Sequence, residues 1–78
     1  MTKVILYSTQ FCPWCHRTRE FFLEHKIKYK NIDVGRNIKA AQKMIKKSGQ
    51  QGVPVIDIEG QIIVGYEENA LKKALNIK

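Results

Sequence analysis

The stretch QFCPWCHR, residues 10–17, decides the fold. Read as Cys-x-x-Cys opening a helix, it is a redox pair; read as Cys-x-x-Cys-His, it is a site for covalent haem attachment. Its flanks separate the two. Before it, Lys3 to Ser8 (KVILYS) is a β-branched and aromatic run with too few polar positions for one wet face, which predicts a buried central strand. After it, from Pro13 to about His25, Trp14, Thr18, Phe21 and Phe22 recur at i, i+4, i+7 and i+8, the inward stripe of an amphipathic helix, and Pro13 suits its first turn. The cysteines therefore occupy the passage from a strand into a helix N-terminus, where unpaired backbone N–H groups and the positive end of the helix dipole favour a thiolate. Two intervening residues let one helical turn bring the two sulfurs together, as a disulfide that forms and reopens requires. On this reading Cys12, on the loop side, is expected to be exposed and nucleophilic, and Cys15, pointing back toward the helix, to resolve the mixed disulfide formed by Cys12.

Outward from this stretch, Ile27 to Val34 (IKYKNIDV) predicts a second strand nearer an edge of the sheet. Residues 37–48 follow with Ile38, Ala41 and Ile45 on one helical face, ended by Gly49 and Gly52. Val53 to Ile58 and Gln61 to Val64 are two apolar runs around Glu59-Gly60, a hairpin signal. Glu67 to about Asn76 is a last helix with Ala70, Leu71, Ala74 and Leu75 on one stripe and its acids at the favoured N-terminal end. The order is β-α-β-α-β-β-α, an α/β three-layer sandwich with a four-stranded mixed sheet, in one domain spanning residues 1–78. Pro54 opens its strand, where a missing N–H is tolerated.

Composition narrows the function. The only two cysteines sit three apart, too few for the multi-bridge framework of small secreted domains, and the apolar run Val4 to Tyr7 is far too short for a signal-peptide core or a membrane span. A cytoplasmic setting is expected, which disfavours the haem reading. Two cysteines cannot close a four-ligand zinc site, and His16 and His25 lack finger spacing, so no metal centre is expected. The formal net charge is +7, with Lys39, Lys43, Lys46 and Lys47 on one helical segment and Lys72 and Lys73 on another. They read as solvated faces: no aromatic residue is interleaved with them as a nucleic-acid platform needs. Neither nucleic acid nor membrane is an expected partner; a basic surface also suits docking on acidic redox proteins. A monomer is the default expectation.

Cys-Pro-Trp-Cys-His-Arg after a strand, Gly-Val-Pro some forty residues on, and Gly-Tyr before the final helix resemble the glutaredoxins, members of the thioredoxin-fold superfamily. The resemblance covers essentially the whole chain. It implies thiol–disulfide oxidoreductase activity in redox homeostasis and electron transport, with Cys12 and Cys15 as catalytic residues, no bound cofactor, and glutathione as co-substrate. It also implies a cis bond before Pro54, pairing of the Val53 backbone with the cysteinyl part of glutathione, and Gly65 and Glu67 at its γ-glutamyl end. Thr9, Phe11, Pro13, Trp14 and Tyr66 complete the expected substrate groove. Two positions and one segment depart from the family's usual pattern. Thr9 stands where a Lys is usual, Gly52 where a Thr is usual, and Val64-Gly65-Tyr66-Glu67-Glu68 where Gly-Gly-x-Asp-Asp is usual. Small redoxins recharged by thioredoxin reductase, some feeding ribonucleotide reductase, share this size and fold and are the alternative reading. In either case the protein partners are disulfide-bonded or glutathionylated proteins.

Overall fold

The computed structural model describes residues 3–77. Seven elements follow in chain order: β1 (Val4–Ser8), α1 (Pro13–Glu24), β2 (Lys30–Asp33), α2 (Ile38–Ser48), β3 (Val55–Ile58), β4 (Gln61–Val64) and α3 (Glu68–Ala74). The sheet order is β2-β1-β3-β4. β1 runs parallel to β2, with Ile5 opposite Lys30 and Ser8 opposite Asp33, and antiparallel to β3, with Tyr7 opposite Val55. The β3–β4 pair is antiparallel, with Ile56 opposite Ile63. This is the α/β three-layer sandwich with a four-stranded mixed sheet expected from the element order, and the thioredoxin-like fold that the resemblance implies.

Strand alternation divides the core in two. Val4 and Leu6 on β1, Ile56 and Ile58 on β3 and Ile63 on β4 meet Phe21 and Phe22 of α1 and Leu71 of α3. Tyr7 and Val55 point to the opposite face and meet Met44 of α2. The strand that leads into the cysteines is thus buried on both faces.

Three elements differ from expectation, each for a local reason. β2 begins at Lys30 because the chain leaving α1 is still tied to it, the Ile27 N–H donating to the Phe22 carbonyl at 2.8 Å. Ile27 and Tyr29 pack on the core beside Phe22 without joining the ladder. β3 begins at Val55, so Val53 and Pro54 lie outside the strand. On α2, Ile38 is 77% exposed and Ile45 also faces solvent. Its inward stripe is instead Ala40, Ala41, Met44, Lys47 and Ser48, which carries two polar residues and so escapes a reading based on hydrophobic spacing. Lys47 is correspondingly not a solvated lysine: its Nζ donates to Asp57 Oδ2 at 2.6 Å and to the Tyr7 hydroxyl at 3.0 Å, pinning α2 to the sheet.

The α2 helix stops at Gly49 alone, a left-handed C-cap with φ +73°; Gly52 lies beyond it in the loop. Nothing lies within 4 Å of a Cβ built there, so Gly49→Ala adds backbone strain without a clash. We expect a loss of about 1 kcal/mol, measured as a lower urea midpoint at unchanged slope.

Candidate active site

Cys12 is the N-cap of α1: its backbone is extended, and its Sγ accepts the Cys15 N–H at 3.2 Å. Pro13 occupies the first helical position, where its missing N–H costs nothing. A thiolate at Cys12 therefore has a backbone donor aimed at it before any substrate arrives. The expected exposure of Cys12 is corrected: it is only 9% exposed, because Val53 lies against it, with Sγ 3.9 Å from the Val53 carbonyl oxygen. Sequence spacing within the motif could not reveal a neighbour 41 residues away.

Cys15 is fully buried. Burial pushes its thiol up to about 12, with the hydrogen bond and charge of Cys12 adding to the effect; the Thr9 backbone N–H and the Arg19 charge pull the other way. Cys15 is accordingly a protonated thiol at neutral pH while Cys12 is free.

Behind Cys15, Arg19 is held in place by three partners. It donates to Ser8 Oγ at 3.2 Å and to Asn31 Oδ1 at 3.4 Å, and its Nη2 lies 3.1 Å from His16 Nδ1, while Ser8 Oγ itself donates to Asn31 at 2.8 Å. Arg19 is thus a fixed cation joining α1, β1 and β2. Arg17 is different in kind: it is exposed, 5.8 Å from the centre of the Tyr66 ring.

The Val53–Pro54 peptide bond is cis. Trp14, Val53, Pro54, Gly65 and Tyr66 line one cleft of about 190 Å³. Trp14 and Tyr66 stack with ring planes 15° apart and centroids 6.1 Å apart, and the Gly65 N–H donates to the Pro54 carbonyl at 2.8 Å. Gly65 has φ +82°, a conformation that favours glycine. Burial raises the Tyr66 hydroxyl above its usual range, with the Glu68 charge adding to the effect, so it stays neutral. Trp14 does not join the buried stripe of α1; it is 62% exposed as a wall of this cleft.

Thr9 and Phe11 fall elsewhere. With Gln10, Asp33, Gly35 and Arg36 they line a separate hollow of about 310 Å³, and Phe11 is 90% exposed. The Thr9 backbone lies within reach of Cys15. Glu67 is the exposed N-cap of α3, without a capping hydrogen bond, and does not line the cleft. A larger hollow of about 530 Å³ on the outer side of α1, lined by Leu23, Ile27 and Tyr29 among others, holds neither cysteine.

The "Glutaredoxin" family model matches residues 4–63. An uncharacterized glutaredoxin-like 8.6 kDa protein in the rubredoxin operon of Clostridium pasteurianum is 39% identical over 70 residues, 90% of this chain and 93% of that one. Glutaredoxin 3 of Escherichia coli (strain K12) is 31% identical over 68 residues, 87% of this chain and 82% of that one. Among solved structures, the glutaredoxin of Archaeoglobus fulgidus superposes with a TM-score of 0.88 at 29% identity, covering 96% of this chain and 87% of that one. The match to the family model takes in β1, the Cys12–Cys15 pair and the Val53–Pro54 bond that faces it. This chain belongs to the glutaredoxin family, whose members are thiol–disulfide redoxins.

Proposed function

We propose that the protein reduces glutathione mixed disulfides and protein disulfides, with Cys12 as the attacking thiolate and Cys15 or glutathione as the resolving thiol. The observation that carries this reading is the position of Cys12. Its sulfur caps a helix N-terminus, accepts the Cys15 N–H, and faces the Val53 carbonyl beside a cleft walled by Trp14 and Tyr66.

The Cys12 thiolate attacks the glutathione sulfur of a mixed disulfide. The old S–S bond breaks, the substrate thiolate leaves and takes up a proton, and a Cys12–glutathione disulfide remains. Reduced glutathione can attack that disulfide, releasing oxidised glutathione. With a protein disulfide the mixed intermediate is instead opened by Cys15, whose thiolate attacks the Cys12 sulfur, expels the substrate thiol and leaves a Cys12–Cys15 disulfide. Two glutathione molecules return two electrons to it. Such a cycle suits a reducing compartment, and the cytoplasm is the setting we propose.

Cys15→Ser is expected to abolish protein-disulfide reduction while keeping at least about half of the deglutathionylation rate, because only the first reaction needs a second cysteine. Insulin reduction and turnover of a glutathionylated peptide, measured on one preparation, test this; equal losses in both contradict it.

Thr9 favours a second reading. A cation at that position would meet a carboxylate of glutathione and be worth about 1 kcal/mol at an exposed site, so coupling to thioredoxin reductase is the alternative. A side-by-side assay separates the two, with glutathione and its reductase in one cell and thioredoxin reductase in the other. Turnover with glutathione supports the first reading; turnover with thioredoxin reductase alone replaces it.

A further inference from the structure

The loop that presents Val53 to Cys12 is organised by one side chain that no catalytic step uses. Gln50 turns its amide onto Gly52: Oε1 accepts the Gly52 N–H at 2.6 Å, and Nε2 donates to the Gly52 carbonyl at 3.0 Å. A single side chain thereby makes both hydrogen bonds that a neighbouring strand would make to that residue. The amide is anchored in turn, because Nε2 also donates to Ser48 Oγ at 3.1 Å, and Ser48 Oγ lies 2.7 Å from the Met44 carbonyl at the end of α2.

The Gly52 carbonyl and the Val53 N–H belong to one planar trans peptide, in which they point in opposite directions. Fixing the carbonyl toward Gln50 therefore fixes the N–H away from it. Among the described residues no hydrogen bond takes up the Val53 N–H, while the Val53 carbonyl faces the Cys12 sulfur. The Val53 N–H is held ready for an incoming chain, beside a carbonyl that accepts from the Cys12 thiol.

We infer that Gln50 is a positioning residue that clamps the Gly52–Val53 peptide so that the Val53 backbone meets the substrate disulfide above Cys12. Gly52 is the other half of the device. A Cβ on it would stand 2.8 Å from Gln50 Oε1, the far end of a flexible side chain, so the amide must shift to admit any side chain at 52. Gln50 and Gly52 act as a unit, and losing either equals losing both.

The kinetic part of this inference rests on the proposed reduction of mixed disulfides. The test compares Gln50→Ala, Gln50→Glu, Gly52→Ala and the double variant Gln50→Ala/Gly52→Ala, all as the full chain. The probe is the mixed disulfide of glutathione and 2-mercaptoethanol, and the second readout is the ¹⁵N order parameter of the Val53 amide. The bonds from Gln50 to Gly52 reach solvent, so the expected loss is several-fold: KM rises about fivefold with kcat within about twofold. The order parameter is expected to drop from about 0.85 toward 0.6. The double variant should be no worse than either single one. Gln50→Glu should behave as Gln50→Ala, because a carboxylate keeps the bond to the Gly52 N–H but cannot donate to the Gly52 carbonyl. An unchanged KM in Gln50→Ala, or losses that multiply in the double variant, overturns the inference. If the wild-type chain fails to turn over this mixed disulfide, the proposed function falls, and the order parameter alone decides: a Val53 amide as rigid in the variants as in the wild type overturns the clamp.

Discussion

Cys12→Ser is expected to lose thiol–disulfide turnover by at least about a thousandfold while remaining folded. A serine hydroxyl is not ionised near neutral pH and leaves no reducible bond after attack. Cys15 cannot take its place, since it is fully buried and held as a thiol by that burial. The substitution is mild for the fold because position 12 is a helix N-cap, where serine is among the preferred residues. The melting temperature of the variant should match or exceed that of the reduced wild type, so the lost activity reports chemistry rather than unfolding. Retention of a tenth or more of wild-type turnover would remove Cys12 from the mechanism.

Lys47→Met is expected to cost roughly 2–3 kcal/mol of stability at pH 7, somewhat below the loss typical of a fully buried pair broken on one side. The ion pair keeps limited access to water, with 25% of the Lys47 side chain and 11% of the Asp57 side chain exposed. Burial, the largest single influence, pushes the Asp57 carboxyl up, but the hydrogen bond from Lys47, the Gly60 N–H and the Lys47 and Lys3 charges together outweigh it and hold it below the ordinary 3.8. The hydrogen bonds to Asp57 and Tyr7 raise Lys47 above its ordinary 10.5.

The signs follow from linkage. The Asp57 contribution is present above pH 3.8 and is lost as pH falls through its lower folded value; the Lys47 contribution is present below pH 10.5 and is lost as pH rises through its higher folded value. Between those limits the pair stabilises the wild type fully. In Lys47→Met the carboxylate loses its nearest cation and keeps the Gly60 N–H at 2.8 Å and the more distant Lys3 charge, so it stays largely buried without an ion-pair partner and protonation relieves it. The stability gap to wild type should therefore narrow between pH 7 and pH 4. Urea melts at both pH values measure it, and a gap below about 0.5 kcal/mol at pH 7 would show that the pair does not hold α2.

The β1 strand, the helix opened by the cysteines and the Glu59-Gly60 hairpin were legible because each rests on local chemistry: β-branched runs, a proline at a helix start, a turn pair. Glu59 and Gly60 both adopt positive φ, as such a hairpin requires. What escaped the sequence depends on partners brought together by the fold. Lys47 reads as one solvated lysine among several until Asp57 and Tyr7 arrive from two strands. Met44 anchors α2 in a stripe that includes Lys47 and Ser48, so isoleucine spacing pointed to the wrong face. Cys12 is shielded by a residue 41 positions away. Gln50 carried no signal at all, since its role is a bond to backbone two residues on.

The candidate site was legible in the same uneven way. Trp14, Val53, Pro54, Gly65 and Tyr66 meet in one cleft. Thr9 and Phe11 belong to the neighbouring hollow instead, and Glu67 stays on the surface. The family resemblance places all of these near glutathione, but only the tertiary packing distinguishes the side chains that wall the cleft from those that sit beside it.

The role of Cys12 as the attacking thiol is read from the intact mass of the Cys15→Ser variant after mixing with a glutathionylated peptide, followed by addition of reduced glutathione. One glutathione adduct is expected, mapped to Cys12, that disappears on addition of reduced glutathione at a rate compatible with turnover. Failure to form an adduct, or an adduct that reduced glutathione does not discharge, would contradict that role.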